Sequence, residues 1–359
     1  MIKHSRRDFI KSAGGITLGA FGGLSFTLSG KSKSEFPVVS IVRIKKNHID
    51  YAVEKAIDLL GGLNTITKNK DHIMLKPNLL AESPKFTTKP TVIRALVRLM
   101  KNAGKEVWIG EGSAAGSGFN FKGNKQYRTR KEDILNSMQE YVFEVLGYKE
   151  LSKAENIPLI NLHTGKFVDI RVPYGLAFNH ITMHQSLVDI DMLCSVPMMK
   201  THNLATVTLG MKNLIGLYPG KVYCSVRSCL HEDAAAAGSP GVAFEILDMV
   251  NINKLGLTVI DGSMAMEGDG PTEGKLVKMN VIIAGTNSLA TDMVAASVMG
   301  FEPLEVPTFA SAFQLGMIPA SLKEIEIRGE SIENVQRKFI RPNVYNWKDI
   351  SPYWGNEEI

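Results

Sequence analysis

Apolar and polar positions follow two periods along the chain. Short β-branched runs, typical of buried strands, are followed by longer stretches in which apolar residues recur at helical spacing and which end near glycine. Strands are predicted at 36–44, 72–75, 107–109, 158–162, 167–172, 192–199, 255–260, 279–284 and 324–328, and helices at 51–60, 90–103, 133–146, 242–250 and 288–299. This alternation predicts an α/β fold with a largely parallel sheet, helices on both faces and some antiparallel insertions.

The beginning of the chain does not share this pattern. The run Ser5-Arg6-Arg7-Asp8-Phe9 precedes a glycine-rich, moderately apolar stretch at 16–28. Paired arginines before a short apolar stretch are a signal for the export of folded proteins, and this stretch is shorter than the roughly 20 apolar residues that span a bilayer. We therefore predict a twin-arginine signal peptide at 1–34, read by the twin-arginine translocase. The alternative is a basic tail followed by a loop.

The remaining residues, 35–359, are predicted to form a single α/β domain. Because of the signal, we expect this domain to be periplasmic or otherwise exported, without a stable membrane anchor. A stretch at 114–130, rich in Gly, Ser, Asn, Lys and Arg, is interpreted as a surface loop that could cover a site.

Composition narrows the possible partners. Hydrophobic residues make up 44% of the chain and charged residues 21%, as in ordinary globular proteins, and part of the formal net charge of +5 lies in the predicted signal. There is no arginine-rich stripe with interleaved aromatic residues, so we do not expect a nucleic acid partner.

The three cysteines are Cys194, Cys224 and Cys229, and no Cys-x-x-Cys pair occurs. The sequence therefore carries no motif for an iron–sulfur cluster or a zinc knuckle. Cys224 and Cys229 are close enough in sequence to form a disulfide outside the cytoplasm. The alternative is that all three are ordinary small core residues.

Polar residues follow four of the predicted strands. They are Lys76-Pro77-Asn78, Glu111-Gly112-Ser113, Lys200-Thr201-His202 and Asp261-Gly262. Ligands of open parallel sheets bind beyond the carboxyl ends of the strands. We therefore expect Lys76, Lys200, His202 and Asp261 to border one pocket.

The densest group of polar residues lies between 191 and 220. If a helix begins at Leu204, Thr208 and Lys212 lie on one face of it, and the free N–H groups at its start add to an anion site. Ammonium and hydroxyl groups suit a carboxylate or a phosphate. The residues expected to bind this anion are Lys76, Asn78, Lys200, Thr201, Thr208, Lys212 and Asn213. The alternative is a solvated helix face with a chance histidine.

A second group is acidic. Carboxylates at Asp261, Glu267, Asp269 and Glu273 are interleaved with glycines, which predicts a tight loop. Asp261 and Glu267 could bind a divalent metal ion or act as acid and base. The metal ligands that we expect are Asp261, Glu267, Asp292 and His231. The alternatives are solvated turns, a structural histidine, and a backbone or lysine partner for Asp292.

As a set, these motifs resemble one known family, domain of unknown function 362. The matching segments are Lys76-Pro77-Asn78-Leu79, Lys200-Thr201-His202, Thr208, Lys212-Asn213-Leu214-Ile215-Gly216, Asp261-Gly262, Glu267-Gly268-x-Gly270-Pro271-x-x-Gly274 and Ala290-x-Asp292, in a core at about 36–305. The resemblance implies no settled activity. Some relatives carry ferredoxin-like cysteine motifs, and this chain has none.

Together these observations favour an exported enzyme that acts on a small anionic substrate. Lys76, Lys200 and Lys212 are expected to hold the anion, and His202, Asp261 and Glu267 to serve as catalytic residues, with or without a divalent metal. The alternatives are a non-catalytic protein that binds an anion or a metal, and an accessory protein to a redox partner.

Overall fold

The structure, a computed structural model, describes residues 36–123, 125–350 and 358–359. The predicted signal at 1–34 lies outside these residues and stays a prediction. The strands are β1 Val38–Arg43, β2 His72–Pro77, β3 Glu106–Glu111, β4 Phe121–Lys122, β5 Lys125–Gln126, β6 Leu159–Asn161, β7 Phe167–Arg171, β8 His180–His184, β9 Met192–Val196, β10 Met198–His202, β11 Thr206–Thr208, β12 Leu255–Glu267, β13 Lys275–Val277, β14 Val281–Gly285 and β15 Glu326–Gly329.

The helices lie between these strands, and within the described residues none is long and apolar enough to cross a membrane. They are α1 Ile49–Leu59, α2 Leu63–Ile66, α3 Pro90–Asn102, α4 Glu132–Val145, α5 Tyr148–Glu155, α6 Ser186–Asp189, α7 Gly220–Tyr223, α8 Ser228–Ala236, α9 Ala243–Ile252, α10 Ser288–Val298, α11 Pro307–Gln314, α12 Ile332–Val335 and α13 Trp347–Ile350. Short 3₁₀ helices occupy Lys212–Leu217, Pro303–Glu305 and Leu322–Glu324.

One mixed sheet organises the molecule, with the strand order β15-β1-β14-β12-β9-β2-β3-β6. Its centre is parallel, because β12, β9, β2, β3 and β6 all run in the same direction. β14 is antiparallel to both β1 and β12, and short antiparallel strands are added at β11 and β13. The predicted fold class, a largely parallel sheet with antiparallel insertions, is confirmed.

Both faces of the sheet are covered, as expected for central strands that are apolar throughout. Alternate residues of β9 show this, because Leu193 packs into the core formed with α9, α10 and α11, whereas Met192 and Cys194 pack into the core formed with α1 and α3. The two cores leave no polar face in the middle of the sheet. Polar side chains therefore gather at the ends of the strands.

Three predicted elements differ from the structure. The strand predicted at 192–199 is divided into β9 and β10 at Pro197, which has no N–H to continue a ladder. No helix begins at Leu204, since β11 turns back and pairs with β10. The acidic segment at 261–267 is not a loop, because β12 continues through it to Glu267 and pairs with β13.

Candidate functional site

A cavity of about 80 Å³ lies beyond the carboxyl ends of β2, β3 and β10. The 3₁₀ helix Lys212–Leu217 and α8 close it from the other side. This is the edge at which ligands of parallel sheets bind. Of the residues predicted for the site, Lys76, Asn78, Lys200, His202, Thr208, Lys212, Asn213 and His231 line the cavity. The convergence of Lys76 and Lys200 agrees with the sequence analysis.

Lys76 forms the floor of the cavity in a buried ion pair. Its Nζ donates hydrogen bonds to Oε1 of Glu111 at 2.7 Å and to Oδ1 of Asn213 at 3.1 Å. The Glu111 carboxylate also accepts the N–H groups of Leu79 and Gly112, each at 2.8 Å. Burial lowers the pKa of Lys76, although Glu111 opposes this shift. Because these partners satisfy the hydrogen-bonding capacity of its ammonium group, the Lys76 side chain is held in one position.

Gly216 packs directly against this ion pair. A Cβ at that position would lie 2.5 Å from Oε1 of Glu111 and 2.7 Å from Nζ of Lys76. A side chain there would push against this buried ion pair, and glycine avoids that displacement.

Lys200 and Thr208 lie opposite each other on β10 and β11. Opposed residues of an antiparallel pair project to the same face, so both side chains reach the cavity. Nζ of Lys200 donates to the carbonyl oxygen of Phe86 at 2.7 Å, and the buried hydroxyl of Thr208 has no partner among the described residues. Burial, together with the nearby Lys212, lowers the pKa of Lys200 well below its usual range.

Lys212 begins the 3₁₀ helix, and Asp292 of α10 fixes the turn before it. The Asp292 carboxylate accepts the N–H groups of Gly210 and Met211, each at 2.8 Å. Lys212 is partly buried, and no hydrogen bond or ion pair holds its Nζ within the described residues. Burial lowers its pKa to about 8, while Glu245 opposes the shift.

Arg227 enters from the start of α8, inside the loop closed by a disulfide between Cys224 and Cys229. The bridge corrects the interpretation of these two as ordinary core cysteines, whereas Cys194 is a buried free thiol. The guanidinium donates to the carbonyl oxygens of Gly112 at 2.6 Å and Gly216 at 3.1 Å. Within the described residues no carboxylate forms an ion pair with Arg227, although the nearby Glu111 carboxylate partly offsets the cost of burying its charge.

Two histidines complete the lining. Nδ1 of His231 on α8 lies 3.0 Å from Oε1 of Glu245 on α9, and the ring packs on that of Trp347 at 5.1 Å. Nδ1 of His202 accepts the backbone N–H of Leu204 at 3.0 Å. Burial lowers the pKa of both histidines, most strongly for His202, which also lies near Lys212 and Lys200. Both rings are therefore neutral at pH 7.

The cavity has an excess of positive charge. Lys76, Lys200, Lys212 and Arg227 border it, and the one carboxylate that lines it within the described residues is Glu111. Glu111 already neutralises Lys76. Buried charges without partners are costly, so an anion in this cavity would be bound favourably.

Four predicted site residues do not line the cavity: Thr201, Asp261, Glu267 and Asp292. Thr201 points to the opposite face from its neighbours on β10 and donates to the carbonyl oxygen of Gly268 at 2.7 Å, because side chains alternate along a strand. Asp261 does not border the cavity either. It lies within β12, where it accepts the backbone N–H groups of Lys89 at 3.0 Å and Ser263 at 2.9 Å. The expectation of one pocket therefore fails for Asp261.

The four residues predicted to share a metal ion do not meet. Glu267 accepts the N–H of Ile340 at 3.2 Å, while Asp261, Asp292 and His231 have the separate partners given above. In the part of the chain that the structure describes, no group of three or more His, Cys, Asp or Glu side chains could hold a metal ion. The predicted shell is thus corrected, because each carboxylate is already used by backbone N–H groups of another element.

Three residues of the site are absent from the sequence-based list: Glu111, Arg227 and Glu245. Glu111 is among the polar residues that follow predicted strands, in the same way as Lys76, but it was not assigned a role in the site. Arg227 immediately precedes α8 and His231 lies on that helix four residues later, which is a weaker signal in the sequence. Nothing local marks Glu245, because its role depends on how α9 packs against α8.

Comparison with known proteins places the chain in a family. Residues 73–297, a span that includes all the cavity residues discussed above, match the model of a domain of unknown function, DUF362. A thylakoid-associated protein from Synechocystis sp. is 27% identical over 268 residues, covering 74% of each chain.

Solved structures give a weaker likeness. The lactate racemase apoprotein from Thermoanaerobacterium thermosaccharolyticum matches with a TM-score of 0.41 and 12% identity over 73% of this chain and 57% of that one. A protein from Thermotoga maritima matches with a TM-score of 0.41 and 14% identity over 75% and 59%. This chain thus spans less than two thirds of either protein, and TM-scores this low carry no argument about function. The family match covers more than half of the sequence, and the chain belongs to the DUF362 family.

Proposed function

We propose that this protein binds a small anion, a carboxylate or a phosphate, in the cavity between β2, β10 and α8, and that it acts on this anion as an enzyme. The observation that carries the proposal is the excess of buried positive charge. Lys200, Lys212 and Arg227 have no carboxylate partner within hydrogen-bonding distance among the described residues, and the hydroxyl of Thr208 is unpaired beside them.

The size of the cavity restricts the ligand. A volume of about 80 Å³ is well below the roughly 300–1,000 Å³ of pockets for drug-sized ligands. An anion of a few heavy atoms suits this space. Charge-assisted hydrogen bonds from ammonium groups and from the guanidinium would bind its oxygens more strongly than neutral donors could.

Export remains part of the proposal. The disulfide between Cys224 and Cys229 supports it, because disulfides persist in oxidising compartments and are rare in the cytosol. The Arg6-Arg7 motif lies outside the described residues, so its support comes from the sequence alone.

Calorimetric titration of the purified protein with sulfate, phosphate and small carboxylates tests the binding function. We expect saturable binding to one site, and at least a tenfold loss of affinity in Lys200→Gln and Lys212→Gln, since hydrogen bonds to charged groups contribute about 1.5–3 kcal/mol. Lys275→Gln is the matched control, because Lys275 is an exposed lysine on β13. If none of these anions binds to the wild type, or if the control loses as much affinity, the proposal is overturned.

A further inference from the structure

The two histidines of the cavity present opposite hydrogen-bonding groups to it. Glu245 is fully buried and also accepts the hydroxyl hydrogen of Ser239 at 2.8 Å, so its carboxylate can only accept from His231. The proton of a neutral His231 ring is therefore on Nδ1, and Nε2 has a lone pair. No hydrogen bond from a described residue reaches Nε2. His231 thus presents a proton acceptor at the cavity.

His202 has the opposite tautomer. A backbone N–H cannot change into an acceptor, so the contact from Leu204 requires a lone pair on Nδ1 of His202. A neutral ring then carries its proton on Nε2. Protonating Nδ1 would break the hydrogen bond to Leu204 and add charge beside Lys200 and Lys212. His202 is therefore a neutral hydrogen-bond donor, suited to an oxygen that gains negative charge.

We propose that His231, oriented by Glu245, is the proton acceptor of the cavity, that His202 is the neutral donor to the developing oxyanion, and that the anion is a small 2-oxo acid. This inference rests on the anion-binding function proposed above and names its substrate class. A 2-oxo acid has a carboxylate for Lys200 and Lys212, a carbonyl oxygen for a neutral donor, and an acidic C–H beside that carbonyl.

The step is a proton transfer without oxidation or reduction. Nε2 of His231 takes a proton from C3 of the acid, and the C–H electron pair forms the double bond between C2 and C3. The carbonyl electrons move to the oxygen on C2, which becomes an enolate held by the Nε2–H of His202 and the nearby ammonium groups. Return of a proton from His231 restores the acid, so in D₂O the net result is deuterium at C3.

Glu245 is a positioning residue in this scheme. Its negative charge stabilises the imidazolium that forms on His231, while Lys212 and Arg227 oppose that charge. The ring of Trp347 packs against that of His231 at 5.1 Å, and His202 is near enough to interact with His231 electrostatically. A carboxylate behind a histidine that faces a reacting group is the usual way to fix its tautomer and raise its basicity.

The test is exchange of the C3 hydrogens of pyruvate and of 2-oxobutyrate in D₂O, followed by ¹H NMR with the full protein. We expect exchange well above that in buffer, a loss of about 10²- to 10⁴-fold in His231→Gln, and a smaller loss in His202→Gln. The control is His180→Gln, because His180 is an exposed histidine on β8. Calorimetry with the same acids shows whether each variant still binds.

The outcomes separate the two proposals. Binding of pyruvate without exchange, or exchange that persists in His231→Gln, overturns the proton-acceptor role and leaves anion binding intact. Binding of sulfate or phosphate without any binding of 2-oxo acids overturns the substrate class. Absence of binding by every anion overturns the proposed function itself.

Glu245→Gln distinguishes positioning from a purely structural role. Loss of the carboxylate charge lowers the pKa of His231, so the acid limb of the exchange profile should move to lower pH as the rate falls. An unchanged profile contradicts the assignment. Imidazole ¹⁵N NMR of the wild type gives a second check that does not depend on any substrate. It should show Nδ1–H for His231 and Nε2–H for His202, and the reverse tautomers overturn the inference.

Discussion

Nζ of Lys76 lies 2.7 Å from Oε1 of Glu111, and the two side chains are 1% and 2% exposed. The pair joins the ends of β2 and β3 beneath the cavity. Removing one partner leaves the other charge buried without compensation, so Lys76→Met should lower the free energy of unfolding by about 3–5 kcal/mol. Urea denaturation followed by circular dichroism measures the change.

A surface pair provides the control for this prediction. Lys149 lies 2.8 Å from Oε2 of Glu140, but both side chains are exposed. Exposed pairs contribute about 0–1 kcal/mol, so Lys149→Met should be nearly neutral. Similar losses in the two variants would show that burial of the Lys76–Glu111 pair has no special energetic role.

Anion affinity should fall as the pH rises from 7 to 9. The pKa of Lys212 is lowered to about 8, so its ammonium group loses its proton in this range. Sulfate is the probe for calorimetry because its own charge is constant over these pH values. Lys212→Gln should bind more weakly and with a flatter pH dependence. An affinity that is constant across this range in the wild type would contradict the role of Lys212.

The stabilisation that comes from protonated Asp292 should be lost progressively as the pH rises from 4 to 7. Burial raises its pKa to about 7, whereas the unfolded value is near 4. Folding therefore takes up a proton in this window, and this contribution is complete below pH 4 and lost as the pH rises through 7. Urea unfolding should show that the free energy of unfolding of the wild type falls, relative to that of Asp292→Asn, as the pH increases. Parallel profiles for the two proteins would argue against the shift.

The disulfide should affect both stability and binding. The bridge closes a short loop with a sequence separation of 5, for which loop entropy predicts about 2 kcal/mol of stabilisation. Because Arg227 lies inside this loop, the double variant Cys224→Ala, Cys229→Ala should also bind sulfate more weakly. A reductant should weaken binding in the wild type and leave the double variant unchanged. Equal sensitivity of both proteins would exclude the bridge as the cause.

The export signal is tested by replacing Arg6 and Arg7 with lysine. The translocase reads paired guanidinium groups, which lysine does not reproduce despite its charge. Fractionation of cells that produce each form should find the double variant in the cytoplasm and the wild type outside it. Normal export of the double variant would exclude this pathway.

Local pattern was sufficient for much of the fold. β-branched runs and helical periods each depend on neighbouring residues, so the five longest helices of the described residues and the starts of the eight strands in the main sheet order could be located from the sequence. Lys76 and Lys200 were found because the ends of parallel strands meet at one edge of a sheet, wherever else the chain goes. The family motifs gave the same residues.

Other features depend on contacts between residues far apart in the chain. The sequence analysis considered a helix from Leu204, yet Thr206–Thr208, which is β-branched throughout, pairs with β10 as a strand. Asp261 ends an apolar run, but β12 continues past it and its carboxylate turns to the start of α3.

The side-chain pairs around the cavity also depend on contacts between residues far apart in the chain. Glu111 meets Lys76 across neighbouring strands, and Glu245 meets His231 across neighbouring helices. The sequence determines which residues end the strands, because that information is local. Only the packed structure decides which charge faces which, since the partners that offset the burial of Lys76 and of His231 come from other parts of the chain.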